Sequence, residues 1–133
     1  MVHSTELQML FCAIALGLLQ MFVSVTLNVG GRGLPYGVGP RDEPPKELGK
    51  VASRTERAYK NFLETFPFFA VGVLLDHALG KSTAMSALGA QVYLVARALY
   101  VPAYVVAIPY TRTLCWFASI IGILMVLSAI WPG

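Results

Sequence analysis

Polar side chains recur at helical spacing within an apolar segment of this sequence. Arg57, Asn61 and Glu64 stand at offsets of zero, four and seven residues. At about 100° per residue, these offsets put all three side chains on one face of a helix. Arginine binds carboxylates through paired hydrogen bonds, glutamate can bind an ammonium group, and asparagine can do either. This face therefore has the chemistry to hold a small molecule with carboxylates and an amine.

A second polar group follows in the next apolar segment. Arg97, Tyr100 and Tyr104 stand at offsets of zero, three and seven residues, which again predicts one helical face, and Arg112 follows soon after. A nearby arginine would lower the pKa of a thiol on the bound molecule, and a tyrosine hydroxyl could hydrogen-bond the resulting thiolate. The two groups together suit a ligand whose own thiol is the nucleophile.

The elements that must position these residues are membrane helices. Of the 133 residues, 56% are hydrophobic and 13% charged, and the mean hydropathy is +0.65. Such a composition is typical of an integral membrane protein. Four segments are long and apolar enough to cross a bilayer, at about 7–29, 53–79, 83–108 and 113–131. We predict an all-α membrane protein in which residues 1–133 form a single four-helix transmembrane bundle.

The distribution of cations predicts the orientation. Seven of the ten Lys and Arg residues lie between positions 32 and 60. The positive-inside rule then places this loop in the cytoplasm and both termini outside. Residues 30–53 are rich in Gly and Pro and are predicted to form an irregular connector. The short loops and the lack of retention signals favour a bacterial inner membrane over the endoplasmic reticulum.

Several other kinds of site are not expected. The cations flank membrane spans rather than an independent domain, so nucleic acid is not a predicted partner. Cys12 and Cys115 are predicted to be small buried hydrophobes inside the first and last spans. His77 has no second ligand candidate nearby, so no metal site is predicted. The charges of the turn at 76–81 are explained by a solvated loop.

Two interpretations of the intramembrane polar residues remain open. A structural interpretation has Glu64 pairing with Arg97 or Arg57, bridged by Asn61, as a seam between helices or subunits. A functional interpretation has a pocket for a small polar anion. Because three arginines face one glutamate, the excess of cations favours the pocket.

The sequence resembles the family of membrane-associated proteins in eicosanoid and glutathione metabolism (MAPEG). The most specific mark is Arg57-Ala58-x-x-Asn61-x-x-Glu64-x-x-Pro67 in the second span. The third-span pattern Arg97-x-x-Tyr100-x-x-x-Tyr104, followed by Arg112, belongs to the same resemblance. Four spans, the chain length and a charged first cytoplasmic loop extend it over nearly the whole chain.

This resemblance implies a homotrimer that binds glutathione, as co-substrate, between neighbouring subunits in the inner leaflet. The implied glutathione-binding residues are Arg32, Arg57, Asn61, Glu64, Arg97, Tyr100 and Tyr104. The implied catalytic residues are Arg112, which stabilises the thiolate, with Tyr100 and Tyr104. The implied activity is that of a transferase or peroxidase acting on hydrophobic electrophiles or lipid hydroperoxides from the bilayer.

Membership of such a family leaves a second function open. The family also contains a member that keeps the fold and binds lipid without catalysis. The alternative is therefore a non-catalytic, trimeric lipid-binding or scaffolding membrane protein in which the polar residues are structural.

Overall fold

The described part of the chain folds into four long helices and one short helix. The computed structural model describes residues 4–42 and 44–131. The helices are α1 (Thr5–Arg32), α2 (Leu34–Val38), α3 (Lys50–Leu79), α4 (Ala84–Val106) and α5 (Thr111–Ile130). The predicted domain also includes residues 1–3, 43 and 132–133, which lie outside the described residues.

The four long helices, α1, α3, α4 and α5, are each long and apolar enough to cross a membrane. The prediction of an all-helical protein with four candidate spans is therefore confirmed, and the chain is a multi-pass membrane protein. Large apolar side chains such as Phe11, Phe68, Leu99 and Leu124 are more than half exposed, and each is on a different long helix. An apolar outer surface of this kind is suited to contact with lipid.

Helices α3 and α4 form the centre of the bundle. They contact one another, and each of them also contacts α1 and α5. The rings of Phe69 and Tyr93 stack between α3 and α4 with centroids 4.0 Å apart. The Tyr93 hydroxyl is also hydrogen-bonded to Oγ1 of Thr65 at 3.0 Å, so its polar atom is satisfied inside the core. The two helices that carry most of the predicted site thus each contact all three of the other long helices.

The connector between the first two spans is more ordered than the composition predicts. Its prediction as wholly irregular was wrong, because α1 continues to Arg32 and α2 occupies Leu34–Val38. Gly33 takes a left-handed φ of 89° between these two helices, which a residue with a side chain rarely adopts. Pro35 stands in the first turn of α2, where a missing N–H breaks no helical hydrogen bond. The Gly and Pro content of this segment does not show where in a helix each residue stands, so it did not predict these helices.

The end of the bundle opposite the arginines contains buried acids. Glu6 accepts hydrogen bonds from Ser86 Oγ at 2.5 Å and from Ser4 Oγ at 2.6 Å. Asp76 is fully buried, and neither of its carboxylate oxygens has a hydrogen-bond partner among the described residues. The interpretation of Asp76 as part of a solvated turn was wrong, because its side chain has no exposed surface in the folded chain.

Helices α4 and α5 approach one another through glycine. A Cβ added to Gly89 would lie 2.7 Å from the carbonyl oxygen of Gly122, and a Cβ added to Gly122 would lie 2.7 Å from that of Gly89. Close backbone approach through small residues is a common way for membrane helices to pack.

Replacing Gly89 or Gly122 with alanine should destabilise the protein. The added methyl group would meet backbone atoms, which cannot rotate away, and we expect a cost of about 1–3 kcal/mol. Thermal unfolding of the detergent-solubilised protein measures this effect. Gly30→Ala is the matched control, because nothing lies within 4 Å of its added Cβ. Equal midpoints for all three variants would contradict the close packing of α4 on α5.

Replacing Asp76 with asparagine should leave the fold intact and raise the midpoint of thermal unfolding. The change removes a carboxyl group whose ionisation costs several kcal/mol in a buried site without a partner. Asp42→Asn is the control, since Asp42 is exposed. A lower midpoint for Asp76→Asn than for Asp42→Asn would mean that the buried carboxyl group is stabilising.

Candidate functional site

Six of the predicted site residues line one cavity between α3, α4 and α5. The cavity has a volume of about 410 Å³. Its predicted residues are Arg57, Asn61, Glu64, Tyr100, Tyr104 and Arg112, and its remaining residues are Lys60, Thr113 and Trp116. The helical spacing seen in the sequence thus produces two facing walls, and the first turn of α5 supplies a third.

Arg97 lies behind this cavity and is 1% exposed. Its Nη1 donates a hydrogen bond of 2.9 Å to Oδ1 of Asn61, which joins α4 to α3. Its guanidinium carbon lies 4.2 Å from the centre of the Tyr100 ring, within the range of a cation–π interaction. Arg97 therefore fixes two of the residues that line the cavity and does not itself line it.

Tyr104 stands between two arginines. The guanidinium carbon of Arg112 is 4.9 Å from the centre of the Tyr104 ring, and that of Arg57 is 5.7 Å from it. The Tyr100 and Tyr104 rings are 5.8 Å apart and tilted by 55°. Two cations from different helices and two phenols therefore converge on one space, where an anion would be attracted.

The cations of this site have little anionic compensation within the protomer. Of the described residues, only Lys60 and Glu56 form an ion pair, at 3.7 Å. Glu64 is exposed and pairs with neither Arg57 nor Arg97. The hydrogen bond between Arg97 and Asn61 matches one part of the structural interpretation. Glu64, the carboxylate expected in the same seam, forms no ion pair with Arg57 or Arg97.

Comparison with known proteins identifies the family of this chain. The model of the MAPEG family matches residues 9–131, which is nearly the whole chain and includes every residue of the cavity. The chain belongs to the MAPEG family. The membrane proteins of this family are associated with glutathione or eicosanoid metabolism. No curated protein and no solved structure gives a significant match.

One predicted residue of this MAPEG protein lies elsewhere in the protomer. Arg32 ends α1, and its Nε donates a hydrogen bond of 3.1 Å to the backbone oxygen of Lys46. It lines a different cavity, of about 640 Å³, formed with α2 and the connector. Within one chain, therefore, Arg32 is not brought together with Arg57 or Arg112.

Three cavity residues were not predicted from the sequence of this MAPEG protein. Lys60 lies three residues after Arg57 and four before Glu64, so helical periodicity already places it on the same face. Thr113 and Trp116 follow Arg112 in the first turns of α5. Trp116 is four residues after Arg112, which is the signal that could have identified it. Among the described residues, no cluster of His, Cys, Asp and Glu is suited to a metal ion.

The hydrogen bond between Arg97 and Asn61 should be measurable as a coupling free energy. We expect Asn61→Leu and Arg97→Leu each to destabilise the protein. The double variant should lose about 1.5–3 kcal/mol less than the sum of the two single losses, because a hydrogen bond to a charged group is lost only once. Unfolding of all four proteins in detergent gives this value. The control cycle pairs Asn61→Leu with Arg41→Leu, an exposed connector residue, and should show no coupling.

Proposed function

We propose that this protein is an integral membrane glutathione transferase or peroxidase. It uses the glutathione thiolate against hydrophobic electrophiles or lipid hydroperoxides that reach it from the bilayer. The observation that carries this proposal is the single cavity that collects Arg57, Asn61, Glu64, Tyr104 and Arg112. Membership of the MAPEG family supports the same choice of ligand.

The side chains of the cavity match the groups of glutathione. The peptide carries two carboxylates and one ammonium group at neutral pH. Arg57 can bind a carboxylate through two hydrogen bonds, Glu64 can bind the ammonium, and Asn61 can bond to the peptide backbone. Asn61 is also oriented by Arg97, which leaves its amide nitrogen free to act as a donor to the ligand.

The transferase step is a nucleophilic substitution or addition by sulfur. Arg112 stabilises the thiolate by its charge, the Tyr100 or Tyr104 hydroxyl donates a hydrogen bond to it, and the thiol proton leaves to water. The sulfur lone pair then forms a carbon–sulfur bond with the electrophile. A leaving group departs with its electron pair, or the addition product takes up a proton.

The peroxidase step uses the same thiolate. Sulfur attacks the terminal oxygen of a lipid hydroperoxide, the oxygen–oxygen bond breaks, and the alkoxide takes up a proton to become an alcohol. The sulfenic acid formed on glutathione condenses with a second glutathione thiol to give the disulfide and water. Two electrons pass from two thiols to one hydroperoxide.

A homotrimer would complete the site. Arg57, Glu64 and Arg112 are exposed in the protomer although they lie in or beside membrane helices. A charged side chain facing lipid is costly, so a neighbouring protomer covering this wall is favoured. In this assembly a neighbour could also bring its own Arg32 to the ligand. We further propose a bacterial inner membrane location, with the connector in the cytoplasm and both termini outside.

Glutathione binding tests this function. Calorimetric titration of the detergent-solubilised protein should show binding, and Arg57→Ala and Glu64→Ala should each weaken it by about 10- to 100-fold because a charged hydrogen-bond partner is lost. Arg41→Ala is the matched control, an exposed arginine outside the cavity. Failure of the wild-type protein to bind glutathione would reject this function and favour the non-catalytic, lipid-binding or scaffolding alternative.

The ultraviolet absorbance of the thiolate separates binding from activation in the same samples. Arg112→Ala should abolish the thiolate signal at neutral pH while part of the affinity survives. An unchanged signal would move the activating role from Arg112 to Tyr100 or Tyr104.

A further inference from the structure

A second cavity lies against the first, at the end of α4 and the beginning of α5. It has a volume of about 300 Å³ and is lined by three arginines, Arg54, Arg57 and Arg112. The rest of the lining comes from the last turns of α4, the loop that includes Tyr110, and Thr113. Arg57 and Arg112 also line the first cavity, the one proposed to bind glutathione, whereas Arg54 does not. Arg54 therefore distinguishes the second cavity, which we call the Arg54 cavity.

The chain holds Arg54 in place by a backbone acceptor rather than by an acid. Its Nη1 donates a hydrogen bond of 3.2 Å to the carbonyl oxygen of Val105, in the last turn of α4. That oxygen would bond to the N–H of residue 109 in a continuing helix, but Pro109 has none. Arg54 thus satisfies a carbonyl at a helix end while its positive charge stays uncompensated.

The lining of the Arg54 cavity contains cations and no carboxylate. In the described part of the chain, none of the three arginines belongs to an ion pair. Across both cavities and Arg97 behind them, four arginines face Glu64 alone, because Lys60 is paired with Glu56. Glutathione with an ionised thiol supplies a net charge of about −2. One positive charge would therefore remain after glutathione has bound.

The position of the Arg54 cavity indicates the source of an anion that could balance this remaining charge. Its loop residues 107–110 join α4 to α5, so they lie outside the four candidate spans, where a membrane interface is expected. Tyr110 is 83% exposed beside it, as expected for an aromatic residue at a membrane interface. Tyr110 also precedes α5 without capping its first N–H groups through a side chain, which adds hydrogen-bond donors on this side.

We propose that the Arg54 cavity binds a phosphate group. Arginine forks match the oxygens of phosphate as well as those of carboxylate. Both an anionic phospholipid and free inorganic phosphate carry this group, and the two sources are separated by experiment. Because the bound phosphate shares Arg57 and Arg112 with the neighbouring cavity, it should weaken glutathione binding, and glutathione should weaken phosphate binding by the same factor. The coupling and the count of remaining charge rest on the proposed function, whereas the uncompensated charge of Arg54 does not.

The test uses the full chain in two arms. In detergent, inorganic phosphate is titrated by calorimetry against chloride at equal ionic strength. In nanodiscs, native mass spectrometry compares retention of phosphatidylglycerol with that of phosphatidylcholine. Binding in the first arm identifies free phosphate as a ligand, and selective retention in the second identifies the lipid. The absence of both would overturn the proposal.

Three variants locate the site. Arg54→Gln should lower phosphate affinity or phosphatidylglycerol retention about tenfold, as for the loss of one charged hydrogen bond. Lys50→Gln removes the same charge from an exposed position one turn earlier on α3 and should change neither. Ile108→Glu introduces an acid at the Arg54 cavity without removing the hydrogen bond from Arg54 to Val105. It should lower phosphate binding in the same way, so it tests the site even if Arg54→Gln fails to fold. Equal binding by Lys50→Gln and both cavity variants would overturn the proposal.

Glutathione titrations of the same proteins keep the two proposals apart. If the wild type binds phosphate but not glutathione, the phosphate site stands and the transferase fails. If it binds glutathione with the same affinity in saturating phosphate, the coupling between the two cavities is wrong.

Discussion

The buried guanidinium of Arg97 is the constraint on which the rest of this bundle depends. Of the side chains that are almost fully buried, it is the largest, and it lies between the two central helices. Removing such a group from water costs several kcal/mol, so its surroundings must compensate by hydrogen bonding and stacking. Asn61 and the Tyr100 ring supply part of this compensation, because Nε and Nη2 of Arg97 are buried without a hydrogen-bond partner among the described residues. The relative position of α3 and α4 is therefore fixed where the functional residues begin.

The buried Arg97 also holds part of the cavity in place before a ligand binds. Asn61 and Tyr100 face the cavity and are bound to Arg97 on their other side. Their side chains therefore lose less conformational freedom when a ligand binds. Arg57 and Arg112, in contrast, are held mainly by cation–π contact with the Tyr104 ring. Arg57 also donates a long hydrogen bond of 3.4 Å from Nε to the Ser53 backbone oxygen, which leaves its two terminal nitrogens available to a ligand. Such arginines can adjust to the carboxylates of a flexible peptide.

Charge is unevenly distributed along the bundle. One end collects arginines around two adjoining cavities, and the other end buries Glu6 and Asp76 around Ser86. The basic end is open, so its excess of charge can be met by ligands. At the acidic end Glu6 is satisfied by Ser4 and Ser86, whereas the buried oxygens of Asp76 have no hydrogen-bond partner among the described residues. Of the two ends, as the described residues form them, the basic one has the form of a binding site.

The sequence by itself determined the membrane class, the four helices and the two polar faces. Apolar length and helical periodicity are local properties, and Arg57, Asn61 and Glu64 fall on one face whatever surrounds them. The same periodicity could have included Lys60. Only the tertiary structure decided that Arg97 lies behind the cavity and that Arg32 lies elsewhere in the protomer. It also decided that Asp76 is buried and that Arg54 bonds to Val105. These outcomes depend on which helices are neighbours and at what height they meet, and spacing within one helix carries no information about either.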